Sequence, residues 1–389
     1  MIYKDLIFNS RVFSSLSKAW KVNRLPHALI FHGSEGIGKE AHAIEFSALL
    51  VCQSNPEGRA CGQCSNCIRV KSFQHGNVKI VVPMPAGNSS TKIEGGSIHS
   101  LSTTQLKSYM SALEEKGNNP YVKISLKANS IPIDIIRELR KDLYMSSIED
   151  GWRIVMIFDA EKLCTGTQAS ANAILKILEE PPEKTLFILV TSYPDQLLDT
   201  IKSRCQSFYF SNPKDDEIKN YLISSGIEKS RCEIISKLSQ GNIGLAMELN
   251  NNYDSIPKDI KIIFEAVFND NSTFLHHFQT RLQELYRAGS KILFENFFQL
   301  MVIIIRDLIL YRQECNSDKI VFPHLYEKYD NVIDENPKAD FHSMLEAIDD
   351  AYRMHLGNVN LSLNALGLIF DIQSCLEGDD YKGISQFNL

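Results

Sequence analysis

The chain has 389 residues, enough for two or three domains at about 150 residues each, and its 44% hydrophobic and 23% charged content excludes wholesale disorder. Lys and Arg number 41 against 47 Asp and Glu, and the net charge of −6 argues against a protein that grips nucleic acid alone through a strongly basic face. The N-terminal Met1-Ile2-Tyr3-Lys4-Asp5 meets charge at once, and the most apolar run, Leu300 to Ile305, is closed by Arg306 and Asp307 far short of the roughly 18 residues of a membrane span, so the expected location is cytoplasmic.

In chain order, five short apolar runs read as strands: Ala28 to Phe31, Val78 to Val82, Ile154 to Phe158, Leu186 to Val190 and Ser207 to Phe210. Most are too uniformly apolar to be half-exposed, and helical patterns separate them, which predicts an α/β fold with a parallel sheet covered on both faces.

The first run leads into Gly33-Ser34-Glu35-Gly36-Ile37-Gly38-Lys39, followed by a predicted helix over Glu40 to Leu50. This is the phosphate-loop context: Gly33, Gly36 and Gly38 allow tight turning, backbone N–H groups cradle phosphates, and Lys39 meets the outer phosphates. Position 40 departs from it. A Ser or Thr hydroxyl belongs there to ligate Mg²⁺, and Glu40 instead adds negative charge beside a triphosphate. The expectation is a phosphate-loop fold that does not hydrolyse nucleotide.

Cys52-x8-Cys61-x2-Cys64-x2-Cys67 follows at once, four of the nine cysteines in the chain. In a reducing compartment such a cluster reads as metal ligands rather than disulfides. Four thiolates can surround one tetrahedral Zn²⁺, leaving no position open to water, and so the expected ion is structural. Gly58, Gly62 and Asn66 are expected to permit the turns that bring the ligands together. An iron–sulfur cluster is the alternative, but Lys71 stands where its further cysteine would fall. His75 reads as a loop residue.

Residues 86–130 interrupt the alternation of strands and helices with a Ser-, Thr-, Gly- and Asn-rich stretch that looks inserted. Within it, Ser102-x-x-Gln105 resembles a capping box, Leu106, Met110 and Leu113 share a helical face, and Gly117 with Pro120 makes a stop. A mobile surface elaboration is expected rather than a catalytic lid.

The third strand ends in Asp159-Ala160-Glu161. A strand-terminal Asp is where the magnesium-directed acid of phosphate-loop folds sits, and an active ATPase of the AAA+ kind usually carries directly after it a Glu that polarises the attacking water. Ala160 occupies that place, and Glu161 reads as a solvated helix-start acid. Further on, Ala173 to Glu179 reads as an amphipathic helix stopped by Pro181 and Pro182, and Leu197 to Cys205 as a helix ending in a small polar cluster. After Phe210, Ser211-Asn212-Pro213 turns into a helix whose first turn carries Asp215, Asp216 and Glu217, favourable for its dipole. From there the periodicity is almost wholly helical, with breaks at Gly241 to Gly244 and near Asn250-Asn251-Asn252. Residue spacing alone gives Arg204 no special role.

The phosphate loop, Asp159 to Leu163, the block from Ala171 to Pro182, the triplet Ser203-Arg204-Cys205, the approach Arg24-Leu25-Pro26-His27-Ala28 and the four-cysteine module resemble bacterial clamp-loader subunits of the AAA+ class. The resemblance covers most of residues 1–250 outside the insertion. It implies an AAA+ P-loop domain over 1–211 carrying the four-cysteine zinc module, a small helical lid over 212–250, and a helical collar over 251–389. Phe297, Leu300, Ile304 and Leu308 are collar packing candidates, and core packing explains them equally well.

Motor subunits of the gamma/tau type keep Lys followed by Ser or Thr, Asp followed by Glu, and an arginine in a Gly-x-x-Arg stretch. This chain has Glu40, Ala160 and, in Gly241-Asn242-Ile243-Gly244, a glycine at those places. The resemblance therefore implies a subunit without intrinsic ATPase. Such a subunit offers Arg204 in trans to ATP on a neighbour and acts with gamma/tau and delta subunits to load a sliding clamp on primer-template DNA. Two alternatives stand beside it. An active AAA+ ATPase or other P-loop NTPase is distinguished by hydrolysis in the isolated chain. A stand-alone zinc-module DNA-binding protein is distinguished by tight, salt-sensitive DNA binding.

Overall fold

The computed structural model describes residues 1–54, 58–85, 101–126, 128–145, 150–268, 272–287, 291–313, 319–356, 359–379, 381 and 383. They divide into two compact units, one of residues 1–225 with 240–244, the other of 226–239 with 245–389.

In the first unit the apolar runs become five strands: β1 (Ala28–His32), β2 (Val78–Val81), β3 (Arg153–Ile157), β4 (Thr185–Thr191) and β5 (Gln206–Tyr209). Every pairing is parallel, in the order β2-β3-β4-β1-β5. All of β4 is buried, as its unbroken Leu-Phe-Ile-Leu-Val run requires of a strand covered on both faces. β5 differs: it lies at one edge of the sheet, and Tyr209 is 62% exposed.

Among the described residues seven α-helices precede the last strand: α1 (Ser10–Lys21), α2 (Lys39–Val51), α3 (Ser65–Lys71), α4 (Thr103–Asn118), α5 (Ile133–Tyr144), α6 (Ala169–Glu179) and α7 (Asp199–Lys202). Alternation sends Ala28, Ile30, Val155, Ile157, Phe187 and Leu189 to one face, where they form a core with Ile136 and Leu139 of α5 and Ile174 and Ile177 of α6. α2 packs on β1, β3 and β4 and is buried from Ala41 to Leu50, so its apolar character runs all round rather than along a stripe. α7 is a single turn, shorter than the helix expected over Leu197 to Cys205.

The capping box of α4 forms as read: Gln105 N donates to Ser102 Oγ at 3.3 Å, and Ser102 N donates to Gln105 Oε1 at 2.9 Å. Its packed face is not the expected one. Met110 is 56% exposed, whereas Tyr109, Lys116 and Gly117 are buried. The apolar periodicity misled because the residue that anchors the C-terminal end of α4 is a lysine. Residues 86–100 of the insertion lie outside the described residues. The part that follows is no detached elaboration: it packs against the phosphate loop.

The chain then turns helical, with α8 (Asp215–Ser224), α9 (Lys229–Leu238), α10 (Ile243–Asn251), α11 (Ile256–Phe268), α12 (Ser272–Arg287), α13 (Lys291–Arg312), α14 (Tyr326–Glu335), α15 (Phe341–Leu356) and α16 (Leu361–Glu377). In the second unit, α13 carries Phe297, Leu300, Ile304 and Leu308, all buried, so these four are interior residues of that unit. Asp307 of α13 is fully buried and accepts from Val321 N and Phe322 N, both at 2.9 Å. Among the described residues no helix is long and apolar enough to cross a membrane.

Candidate functional site

Parallel strands place their following loops at one end of the sheet, and three of these loops meet there: the glycine loop after β1, Asp159 after β3 and Ser192 after β4. Gly36 (φ +73°) and Gly38 (φ +86°) are left-handed. At Gly36 a Cβ would collide with Asn242 Oδ1, so only glycine fits. Ile243 N donates to Gly36 O at 3.2 Å, and the Gly241–Gly244 stretch thereby lies on the loop. A Cβ at Gly244, where a motor subunit has its arginine, would come within 3.3 Å of Asn242 Oδ1.

Lys39 opens α2 but does not reach outward. It is 6% exposed, and its ammonium donates to Gly33 O (2.8 Å), Ser34 O (2.5 Å) and Ser192 Oγ (3.0 Å). Those bonds use all three of its donors. Burial pulls its pKa down to about 8, against the pull of Glu40, Glu35 and Asp159 and with the help of Lys123. The lysine expected to meet phosphates is committed to its own loop.

Glu40 is ion-paired with Lys116 of α4 at 2.5 Å; Lys116 is 2% exposed and also donates to Pro120 O and Val122 O. Asp159 adopts a left-handed conformation (φ +49°) at the end of β3. Lys123 lies 3.1 Å from Asp159 Oδ1 and 2.8 Å from Glu35 Oε1. Burial raises the Asp159 carboxyl pKa, with Lys123 opposing; burial also works against the charge on Lys123, but Asp159 and Glu35 prevail and its pKa is raised. Ala160 is fully buried at the position where a water-polarising Glu would stand. Glu161 is not the solvated acid expected: it is 3% exposed and accepts a 2.6 Å bond from Thr191 Oγ1. The turn after Asp159 is a 3₁₀ helix folded back against β4, which buries the acid beside that strand's last residue.

A polar cleft of about 170 Å³ lies beside the loop, with Phe8, Asn9, Ile37, His42 and Phe210 in its walls. No pattern in the sequence marked it, because its walls come from three separate stretches. His42 Nε2 accepts from Asn9 N at 2.9 Å, and its Nδ1–H donates to Gly38 O at 2.8 Å, a pairing that assigns the neutral tautomer. Burial lowers its pKa from 6.5 to about 4. Between those values the unfolded chain binds a proton that the native chain refuses. Stability is therefore expected to fall as pH drops from 6.5 to 4, by up to about 3 kcal/mol from this group. Urea unfolding across that range checks it, and the decline should be shallower in His42→Gln.

The four cysteines converge. Cys52 follows α2, Cys61 lies on the intervening turn, Cys64 is the N-cap of α3, and Cys67 lies in its first turn. Their sulfurs lie within 4.8 Å of one another, and Cys61 Sγ is 3.9 Å from Cys67 Sγ. A tetrahedral ion with metal–sulfur bonds of about 2.3 Å sets its sulfurs about 3.8 Å apart, so the spacing suits one four-coordinate metal. Backbone N–H groups of Gln63 and Cys64 point at Cys61 Sγ (3.4 and 3.3 Å) and pull its pKa down to about 6; burial raises that of Cys67.

Gly58 and Gly62 are left-handed, as the turns require, and a Cβ at Gly62 would collide with Met1 O. Asn66 acts otherwise than expected: it lies within α3 and donates to Val51 O at 2.8 Å, tying the helix to the end of α2. His75 is buried, accepts from Asn77 N through Nδ1, and lies outside the four-sulfur group. The cluster can hold a metal ion.

Ser203, Arg204 and Cys205 follow α7. Arg204 is one-third exposed; it donates to Thr200 O at 2.9 Å and pairs with Glu179 Oε1 at 2.7 Å. Burial pushes the Cys205 thiol up to about 12.

Residues 8–214 match the family described as DNA polymerase III, delta subunit. The chain is 26% identical over 356 residues to DNA polymerase III subunit delta' of Bacillus subtilis, covering 90% of this chain and 92% of that one. It is 28% identical over 239 residues to the subunit of the same name from Escherichia coli, covering 61% and 58%. A DNA polymerase III subunit tau/gamma of Haemophilus influenzae is 26% identical over 253 residues, 64% of this chain and 30% of that one. A match over more than half the chain, which takes in the phosphate loop, the cysteine cluster and the Arg204 triplet, places this protein in the DNA polymerase III delta subunit family.

Proposed function

We propose that this chain is a delta-prime-type subunit of a DNA polymerase III clamp loader that does not hydrolyse ATP and supports loading of a sliding clamp onto primed DNA. The observation that carries this reading is the state of the phosphate site: Lys39 is spent on its own loop, Glu40 replaces the magnesium-ligating hydroxyl, and Ala160 replaces the water-polarising acid. Positioning and charge neutralisation are nearly all that phosphoryl transfer asks of a protein, and here both are spent internally.

The partners are gamma/tau-type and delta-type subunits, with the clamp and primer-template DNA reached through the ring. The acidic net charge suits a subunit that meets DNA only in company. Arg204 is the finger offered to a neighbour's ATP. The four-cysteine cluster holds structural Zn²⁺, residues 1–211 and 212–250 serve as AAA+ body and lid, and 251–389 as collar, in a cytoplasmic complex. The purified chain is expected to show no ATP turnover and to enter a stoichiometric complex with gamma/tau-type and delta-type subunits on size-exclusion chromatography. Turnover in the isolated chain that Lys39→Ala abolishes would overturn the reading.

A further inference from the structure

The end of the inserted arm lies over the phosphate site. Tyr121, 8% exposed, packs its ring 3.1 Å from the place a Cβ of Gly38 would occupy, and its hydroxyl accepts from Ile7 N at 2.7 Å. Tyr3 Oη donates to Lys116 O at 2.8 Å, and Gly117 approaches Lys71 so closely that a Cβ there would stand 2.8 Å from its carbonyl. This seated backbone delivers two ammonium groups. Lys116 reaches Glu40, and Lys123 reaches Asp159 and Glu35 together. With Lys39, three lysines face three carboxylates.

A divalent cation in a phosphate-loop site needs the hydroxyl after the loop lysine and the acid at the strand end. Here the first position is a carboxylate held by Lys116, and the second holds Lys123. A lysine is a compact point charge with three donors, suited to stand between carboxylates as a small cation does.

We propose that Lys123 is a resident cation in place of Mg²⁺, delivered by the inserted arm together with Lys116, and that it excludes the magnesium–nucleotide complex from this site. The proposal rests on the non-hydrolysing reading and gives it a cause. Removal of Lys123 takes away the ammonium that bridges Asp159 and Glu35, and two carboxylates at close range favour uptake of a cation in its place.

The test uses the full chain with its cysteine-bound metal in place and titrates Mn²⁺, followed by electron paramagnetic resonance. The wild type and Lys123→Arg are expected to show no Asp159-dependent uptake. Lys123→Ala is expected to bind Mn²⁺ at least about tenfold more tightly than the wild type, and Asp159→Asn in that background to abolish the gain. Because Lys123 is 44% exposed, its truncation is tolerated, and circular dichroism with a thermal melt verifies that the variant is folded. Lys123→Gln serves as a second truncation. Equal Mn²⁺ uptake by the folded Ala and Gln variants and the wild type overturns the proposal. So does Asp159-dependent uptake by a wild type that turns over no ATP, a result that leaves the non-hydrolysing reading intact.

Discussion

Cys67→Ser is expected to remove the bound metal and to lower the melting temperature by about 10 °C or more. The physical reason is that an ion held by the four cysteines would add its binding free energy to folding. Among its described residues the segment from 52 to 71 has one short helix and turns at left-handed Gly58 and Gly62, and an ion held by four of its side chains would offset the entropy lost in ordering them. Structural Zn²⁺ supplies about 10–16 kcal/mol in isolated zinc-finger peptides; in this larger unit several kcal/mol of loss are expected.

The effect spreads, because the module seats the N-terminus. The Met1 ammonium donates to Ala60 O at 2.8 Å, Met1 O lies against Gly62, and the next residues carry Tyr3, which bonds Glu45 through its N–H and Lys116 through its hydroxyl. Loosening of the turn therefore reaches the arm over the phosphate loop. Elemental analysis is expected to give one zinc per wild-type chain and none in Cys67→Ser. Iron, or no metal, in the wild type would remove the zinc assignment.

The second large effect concerns a reaction on another subunit. Arg204→Ala is expected to leave folding and ring assembly intact while lowering turnover at the ATP site it faces by about 10³-fold, the scale of a lost arginine finger. Folding is spared because the arginine is a partly exposed ion pair with Glu179, and such pairs contribute about 0–1 kcal/mol. In the proposed role the guanidinium would add charge where the transferring phosphoryl spreads its own, and its planar fork would contact two oxygens. Arg204→Lys should accordingly restore little. Steady-state ATPase and clamp loading by the reconstituted ring, with assembly verified by size exclusion, make the measurement. Unchanged turnover would end the assignment. In the proposed role the guanidinium would have to leave Glu179, with which it is paired here, to engage a neighbour.

What could be read from the chain was whatever physics makes local. Uniform apolar runs predicted five strands, and the structure moves their ends by at most one residue. The capping box of α4 and the left-handed glycines were legible because each depends on a few consecutive residues. The cysteine cluster was legible for a related reason: ligands so close together along the chain have little choice but to converge once a metal is supplied.

The phosphate site shows where that legibility ended. Glu40 was visible as a departure, yet its partner Lys116 comes from an insertion whose apolar periodicity pointed to Leu106, Met110 and Leu113. Lys123 and Glu35 stand 88 residues apart in sequence, and no periodicity connects them. Glu161 looked solvated because helix-start acids usually are, and only the fold of the turn after β3 set it against Thr191. Nothing in the sequence marks His42, whose role depends on Asn9 and Gly38 meeting its two nitrogens.

By itself the sequence determined the parallel sheet, the phosphate loop with its departures at Glu40 and Ala160, and the cluster of four cysteines, since each is written in residues that are neighbours along the chain or repeat with a fixed period. The tertiary structure alone decided that Lys39 turns inward, that the inserted arm brings Lys116 and Lys123 to the carboxylates of the site, and that Arg204 rests on Glu179. Ion pairs between distant segments are chosen by how the backbone packs, and packing is settled by the whole chain at once.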